Sequence, residues 1–364
     1  MNETLQNLMR SATKLTQTGR LSEATAAIQR ALRGMGALPT RARPEASAVV
    51  LEGCVFEADA PAPAAKPSAH AAFISGSHTH ALLTRAYKLF VPPGRPERPR
   101  ALVVMLHGCT QDPDDFAAGT GMNEHALEQG FVVLYPAQAQ DANPSRCWNW
   151  FKHNHQQRGS GEPAVIAGMT RAVMQAHGID PRRVYIAGLS AGGAMATIVA
   201  AAYPDIFAAV GVHSGLPRGA ASSVPEALSV MGSGVAGTGV HTRTRRVNAA
   251  PTAPVPTIVF HGDQDRTVHP RNGEQVIAAA LGAAAAGAGA ARVEQGRSSQ
   301  GRRFTRSTHA AEGGAAQAEH WLLHGAGHAW SGGRAAGSYT DAAGPDATRE
   351  MLRFFFEHPR ASPD

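Results

Sequence analysis

The sequence predicts an α/β fold built on a doubly wound, mostly parallel sheet. Three observations lead there. Short continuous apolar runs, such as 101–106 (ALVVML) and 131–135 (FVVLY), suit strands buried on both faces. Stretches with helical spacing alternate with them, as at 164–177 and 346–358. Several of the runs end in polar, glycine-containing segments, and in an open parallel sheet functional groups collect beyond the carboxyl ends of the strands.

In chain order the pattern starts with two short amphipathic helices over 1–36. Leu5, Leu8, Met9, Ala12 and Leu15 share one face, and Leu21, Ala24, Ile28, Ala31 and Leu32 share another after Gly19. This resembles a single tetratricopeptide-type hairpin, which cannot bury its own apolar side and must dock on something. Residues 37–83 are rich in Pro, Ala, Ser and His and read as a linker or arm, with His78 and His80 as plain loop residues. The main domain spans 84–360. Its strands are expected at 86–91, 101–106, 131–135, 184–187, 208–212, 257–260 and 319–323, with helices at about 116–129, 164–177, 191–203 and 346–358. Two stretches low in aromatics, 218–256 and 282–316, read as insertions, the second as disordered because its AAAAGAGAA run offers nothing large to pack.

The bulk properties exclude several classes. The chain has 364 residues, 43% of them hydrophobic, enough for a sizeable core. The formal net charge of +6 comes from scattered arginines and two clusters, 243–246 and 297–306, and no nucleic-acid module accompanies them. Nucleic acid is therefore not the expected partner. The three cysteines (Cys54, Cys109, Cys147) are too few for a disulfide scaffold and wrongly spaced for zinc. No metal or other cofactor is expected. His153-Asn154-His155 lacks any surrounding metal framework. The N-terminal residues lack the basic start and apolar run of a signal peptide, and no run approaches the roughly 20 apolar residues of a membrane helix, so the expectation is a cytoplasmic protein.

The chemistry centres on Val184–Gly193 (VYIAGLSAGG), a strand, a tight turn and the start of a small-residue helix. Gly188-Leu189-Ser190-Ala191-Gly192 is a G-x-S-x-G nucleophile elbow, whose strained turn projects a serine from the top of a sheet. A serine nucleophile needs a base, and the base needs a carboxylate to fix its tautomer. His328 follows a strand in a Gly-Ala-Gly-His loop and is the candidate base. Asp265, in HGDQDRTV, is the favoured acid and Asp263 the alternative. The order Ser, Asp, His along the chain is that of an α/β-hydrolase. His324, His107 and His261 read as structural. The backbone N–H of Ala191, after the nucleophile, and that of Cys109, in the loop after 101–106, are the candidate oxyanion donors. Cys109 and Cys147 either form a bridge between the oxyanion loop and the Trp-rich loop, or stand as two buried thiols. Trp148, Trp150 and Trp330 are candidates for lining a substrate pocket, Trp330 first among them because it lies two residues past the proposed base, with a core role as the alternative.

Taken together, LHGCTQ, CWNWF, GLSAGG, HGDQD and GHAWSGG, in this order over about residues 85–358, resemble the polyhydroxybutyrate depolymerase family of esterases, which groups with feruloyl and acetylxylan esterases. The resemblance implies a serine esterase acting on short-chain polyhydroxyalkanoate esters through an acyl-enzyme at Ser190, with Asp265, His328 and the oxyanion residue Cys109. Secreted members usually carry a signal peptide, a linker and a polymer-binding domain. The hairpin at 1–36 looks more like the intracellular members, which implies contact with a storage granule surface, or a homo-oligomer formed through 1–36. The alternatives are a feruloyl- or acetylxylan-type carbohydrate ester hydrolase and an inactive granule-associated protein.

Overall fold

The computed structural model describes residues 70–81, 83–94, 96–234, 255–282, 291–310 and 316–361. The expected hairpin at 1–36 lies outside them. A ten-stranded sheet in the order β1-β2-β4-β3-β5-β6-β7-β10-β9-β8 carries the fold. Its strands are β1 (Ala72–His80), β2 (Leu83–Val91), β3 (Arg100–Leu106), β4 (Val132–Pro136), β5 (Ile179–Leu189), β6 (Ala209–His213), β7 (Thr257–Gly262), β8 (Arg292–Arg297), β9 (Arg303–Ala310) and β10 (Ala316–Leu323). The six from β4 to β10 in that order run parallel, and two antiparallel strands close each edge. A short parallel pair, β11 (Trp330–Ser331) and β12 (Thr340–Asp341), lies apart from it.

The central strands are apolar on both sides because helices cover both faces. Along β3, Leu102, Val104 and Leu106 join the core cluster formed with α3 (Gly161–His177) and α4 (Ala191–Ala202). Val103 and Met105 join the opposite cluster, packed against α1 (Pro113–Thr120), α2 (Met122–Gln129) and the C-terminal helix (Ala347–Glu357). Two more helices, α5 (Val224–Ser233) and α6 (Arg271–Leu281), flank β7 in sequence, and the C-terminal helix is therefore α7.

The two sheet edges correct the sequence expectations. The end of the expected arm, 72–80, is β1, paired with β2 over nine residues, so His78 and His80 stand on a strand. Within the expected insertion 282–316, β8 and β9 form an antiparallel hairpin on β10. Phe304 packs on Trp321, with ring centroids 4.8 Å apart, and Arg306 pairs with the buried Glu319 at 3.1 Å. Phe304 and the Arg306–Glu319 pair anchor a hairpin whose other side chains, the exposed Val293 apart, are small or polar, which is why its strand character is faint in sequence. The insertion expected at 218–256 contains α5, and 235–254 lies outside the described residues.

Candidate active site

The elbow is built as its sequence demands. Ser190 sits between β5 and α4 at φ 56°, ψ −120°, a conformation a non-glycine residue adopts only when its surroundings impose it. A Cβ on Gly188 would run into the Gly192 carbonyl carbon, and one on Gly192 into the Leu106 carbonyl oxygen, so strand and helix approach only as glycines. The Ser190 N–H donates to the His213 carbonyl at 2.9 Å, and the Ser190 carbonyl accepts from Ala194 to start α4.

The loop after β7 brings Asp265 to the histidine. Its Oδ1 accepts the N–H groups of Thr267 (2.9 Å) and Val268 (2.8 Å), and its Oδ2 lies 2.7 Å from His328 Nδ1. The carboxylate is buried. Burial alone would push its pKa up, but hydrogen bonds from His261 and His328, the charge of His328 and the Val268 N–H outweigh it and hold the group well below the usual carboxylate range. The His261 contact is the longer one, 3.5 Å from Nε2, because that nitrogen is closer to the Val268 carbonyl at 2.8 Å. Asp263 faces elsewhere: its carboxylate meets His324 Nδ1 at 3.0 Å and accepts the Gly325 N–H at 2.7 Å. The structure thus pairs Asp265 with His328 and Asp263 with His324.

Cys109 and Cys147 form a disulfide, so of the two expected alternatives the bridge is the one present. It joins the loop after β3 to the Trp-rich loop. On either side of Cys109 the N–H groups are already engaged, Gly108's by Gln111 Oε1 (2.9 Å) and Thr110's by the Ser145 carbonyl (2.7 Å). His107 orders the same loop, its Nδ1 bonding the Gly108 carbonyl and its Nε2 accepting the Gln138 N–H; burial pushes its pKa down to about 4.

A cavity of about 210 Å³ opens at this point. It is lined by Ser190, Ala191 and the Cys109–Cys147 bridge, by Trp150 and Phe151 of the Trp-rich loop, by Val224, Ala227, Leu228 and Met231 of α5, and by Leu216 and Val268. Neither Trp148 nor Trp330 lines it, against expectation. Trp148 is fully buried beneath the loop and donates its Nε1–H to the His107 carbonyl at 3.1 Å. Trp330 belongs to the core on the other face of the sheet, edge-on to Phe116, with its Nε1–H on Thr348 Oγ1 at 3.0 Å. Both indoles are consumed by structural contacts, and Trp150 takes the wall position.

Two further residues serve the site and carry no sequence motif. His213, at the end of β6, accepts the Ser190 N–H through its carbonyl and the Ser331 N–H through Nε2 at 3.0 Å, and it stacks on Trp330 and Phe260. It therefore ties the elbow to the segment after His328. Full burial pushes its pKa down to about 3, which keeps Nε2 an acceptor. Glu162, fully buried at the start of α3, accepts the Asn149 N–H (2.8 Å), Asn149 Nδ2 (2.7 Å) and Gln138 Nε2 (2.6 Å), and faces Arg85 at 3.5 Å. It pins the loop that carries Cys147, Trp150 and Phe151. A strand-end position was the only hint of His213, and a lone carboxylate before an apolar helix the only hint of Glu162. Among the described residues no cluster of three or more His, Cys, Asp or Glu is placed to hold a metal ion, and no helix is long and apolar enough to cross a membrane.

Comparison with known proteins sets this geometry in a family. The chain is 38% identical over 190 residues to a poly(3-hydroxyalkanoate) depolymerase C of Paucimonas lemoignei, covering 51% of this chain and 45% of the relative. It is 29% identical over 197 residues to a probable acetylxylan esterase A of Aspergillus fumigatus, covering 50% and 51%. The chain thus spans about half the length of the curated relatives it matches. An acetyl xylan esterase from Aspergillus awamori shares the fold, with a TM-score of 0.55 at 19% identity over 75% of this chain and 94% of that one. The fold is accordingly the α/β-hydrolase fold, as expected from the sequence. Residues 85–300 match the model of the family described as esterase PHB depolymerase, and the chain belongs to that family.

Proposed function

We propose that this protein is a serine carboxylic ester hydrolase acting on short-chain polyhydroxyalkanoates, with poly-3-hydroxybutyrate as the model substrate. The observation that carries the reading is the buried Asp265–His328 pair at 2.7 Å, presented beyond the same carboxyl end of the parallel strands as a strained Ser190 that opens into an apolar cavity. In this reading His328, its tautomer fixed by Asp265, takes the Ser190 proton as Oγ attacks the ester carbonyl. The alcohol leaves with that proton, and water, activated by the same histidine, releases the acid from the acyl-enzyme. The Cys109 and Ala191 N–H groups receive the oxyanion. The depolymerase similarity supports the polyester as substrate.

The acetylxylan esterase relatives support a second reading, a carbohydrate ester hydrolase. Product analysis on amorphous polyhydroxybutyrate, acetylated xylan and feruloylated sugars separates the two. Ser190→Ala should abolish hydrolysis of p-nitrophenyl butyrate and of polymer; a variant with near-full activity would sink the mechanism. Cytoplasmic placement, contact with storage granules and self-association through 1–36 belong to the same proposal. The Cys109–Cys147 bridge weighs against a reducing compartment. Fractionation of cells expressing the full chain, with the bridge mapped in each fraction, decides between them.

A further inference from the structure

Among the described residues six large apolar side chains stand exposed, and two of them are one turn apart on α5: Val224 (54% exposed) and Leu228 (67%). With Met231 they fall at i, i+4 and i+7, a single stripe on the helix. The neighbouring face, Ala227 and Val230, is the one packed into the core. All three stripe residues line the cavity that also holds Ser190, so the apolar surface runs without a break from the serine to the outside of the helix. Among the described residues that line the cavity none is charged. The helix's one charged side chain, Glu226, is turned back to its start, where Oε2 accepts the Ser222 N–H and hydroxyl, both at 2.8 Å. The stripe is also held in place. The His269 N–H donates to the Met231 carbonyl at 2.8 Å and Asn272 Nδ2 to the Val230 carbonyl at 2.9 Å, which couples α5 to the loop that carries Asp265 and to the start of α6.

We infer that the Val224–Leu228–Met231 stripe is a subsite for the aliphatic chain of the substrate beyond the ester held at Ser190. The inference rests on the esterase reading above and adds a substrate class to it: an extended apolar chain, in preference to an ester on a sugar, whose hydroxyls would meet no polar partner along this wall. Apolar side chains left in water at the mouth of a cavity gain by covering only if the ligand is long enough to reach them, so the stripe acts as a length selector.

The experiment compares the parent, Leu228→Ser, the double variant Val224→Ser/Leu228→Ser and the conservative Leu228→Met. The readouts are kcat/KM for p-nitrophenyl octanoate relative to acetate, and calorimetric titration with 1-octanol. The octanoate-to-acetate ratio and the octanol affinity should each fall about tenfold in the double variant, the loss expected for two partly covered apolar side chains, and should be held by Leu228→Met. An unchanged ratio with unchanged octanol affinity overturns the inference. If a fluorophosphonate probe fails to label Ser190 and no ester is turned over, the esterase reading falls, and the octanol titration still tests the stripe alone. Sedimentation completes the set: a parent dimer that the double variant abolishes, with octanol binding unaltered, makes the stripe a contact between copies and overturns the inference.

Discussion

His328 Nδ1 and Asp265 Oδ2 lie 2.7 Å apart, and the other oxygen of the same carboxylate is fixed by the N–H groups of Thr267 and Val268. The acid is thus oriented by its own loop before it orients the histidine. A carboxylate two residues earlier, Asp263, is committed to His324 and Gly325.

Asp265→Asn should therefore cost about 10⁴ in kcat, the scale seen when the acid of a Ser-His-Asp triad becomes an amide. Asp263→Asn should leave turnover near the parent value, because its carboxylate is held by His324 and Gly325, whereas His328 is held by Asp265. Steady-state kinetics on p-nitrophenyl butyrate check both; the reverse ranking would make Asp263 the acid.

Acid should destabilise the fold through histidines that are neutral when buried. Burial pushes His107 and His320 down to about 4 and His213 to about 3, against an ordinary value of 6.5. As pH falls below about 6.5 the unfolded chain binds protons that the folded chain refuses, so stability declines until the folded values are reached. Each group contributes a slope of about 1.4 kcal/mol per pH unit within its window. Melting temperature should drop between about pH 6.5 and 4, and His320→Gln should flatten the slope. A melting temperature level across that range contradicts this.

Reduction should loosen the site. The Cys109–Cys147 bridge closes a sequence separation of 38, for which loop-closure entropy predicts about 4 kcal/mol of stabilisation. Cys147→Ser should lower the denaturation midpoint and, because Cys109 carries the proposed oxyanion donor, lower kcat more than it raises KM. Equal loss in both would confine the bridge to stability.

Glu162→Ala should be among the most damaging substitutions away from Ser190. It leaves Arg85, itself nearly buried, without its carboxylate, and removes the acceptor of Asn149 and Gln138. Breaking a buried pair this way costs about 3–5 kcal/mol. Urea denaturation checks it, and Glu162→Gln should recover only part of the loss.

The parallel core, the elbow and the order of Ser190, Asp265 and His328 were legible in the sequence because each rests on local pattern. A buried strand announces itself by a continuous apolar run, and the elbow by glycines whose Cβ atoms would strike Leu106 and Gly192. Edge strands announce themselves poorly: β1, β8 and β9 bury little of either face, so their composition reads as linker or insertion.

Residue types and their order by themselves determined the fold class, the family and the candidate nucleophile, acid and base. The tertiary structure alone decided which histidine each aspartate meets, that Cys109 and Cys147 are joined, and that Trp150 rather than Trp148 or Trp330 walls the cavity. It also decided that His213 links the elbow to the segment after His328, 118 residues separating the partners Ser331 and His213. The physical reason is the same each time. Periodicity and turn chemistry act within a few residues, whereas these pairings depend on strand order and on which side of a loop faces the core.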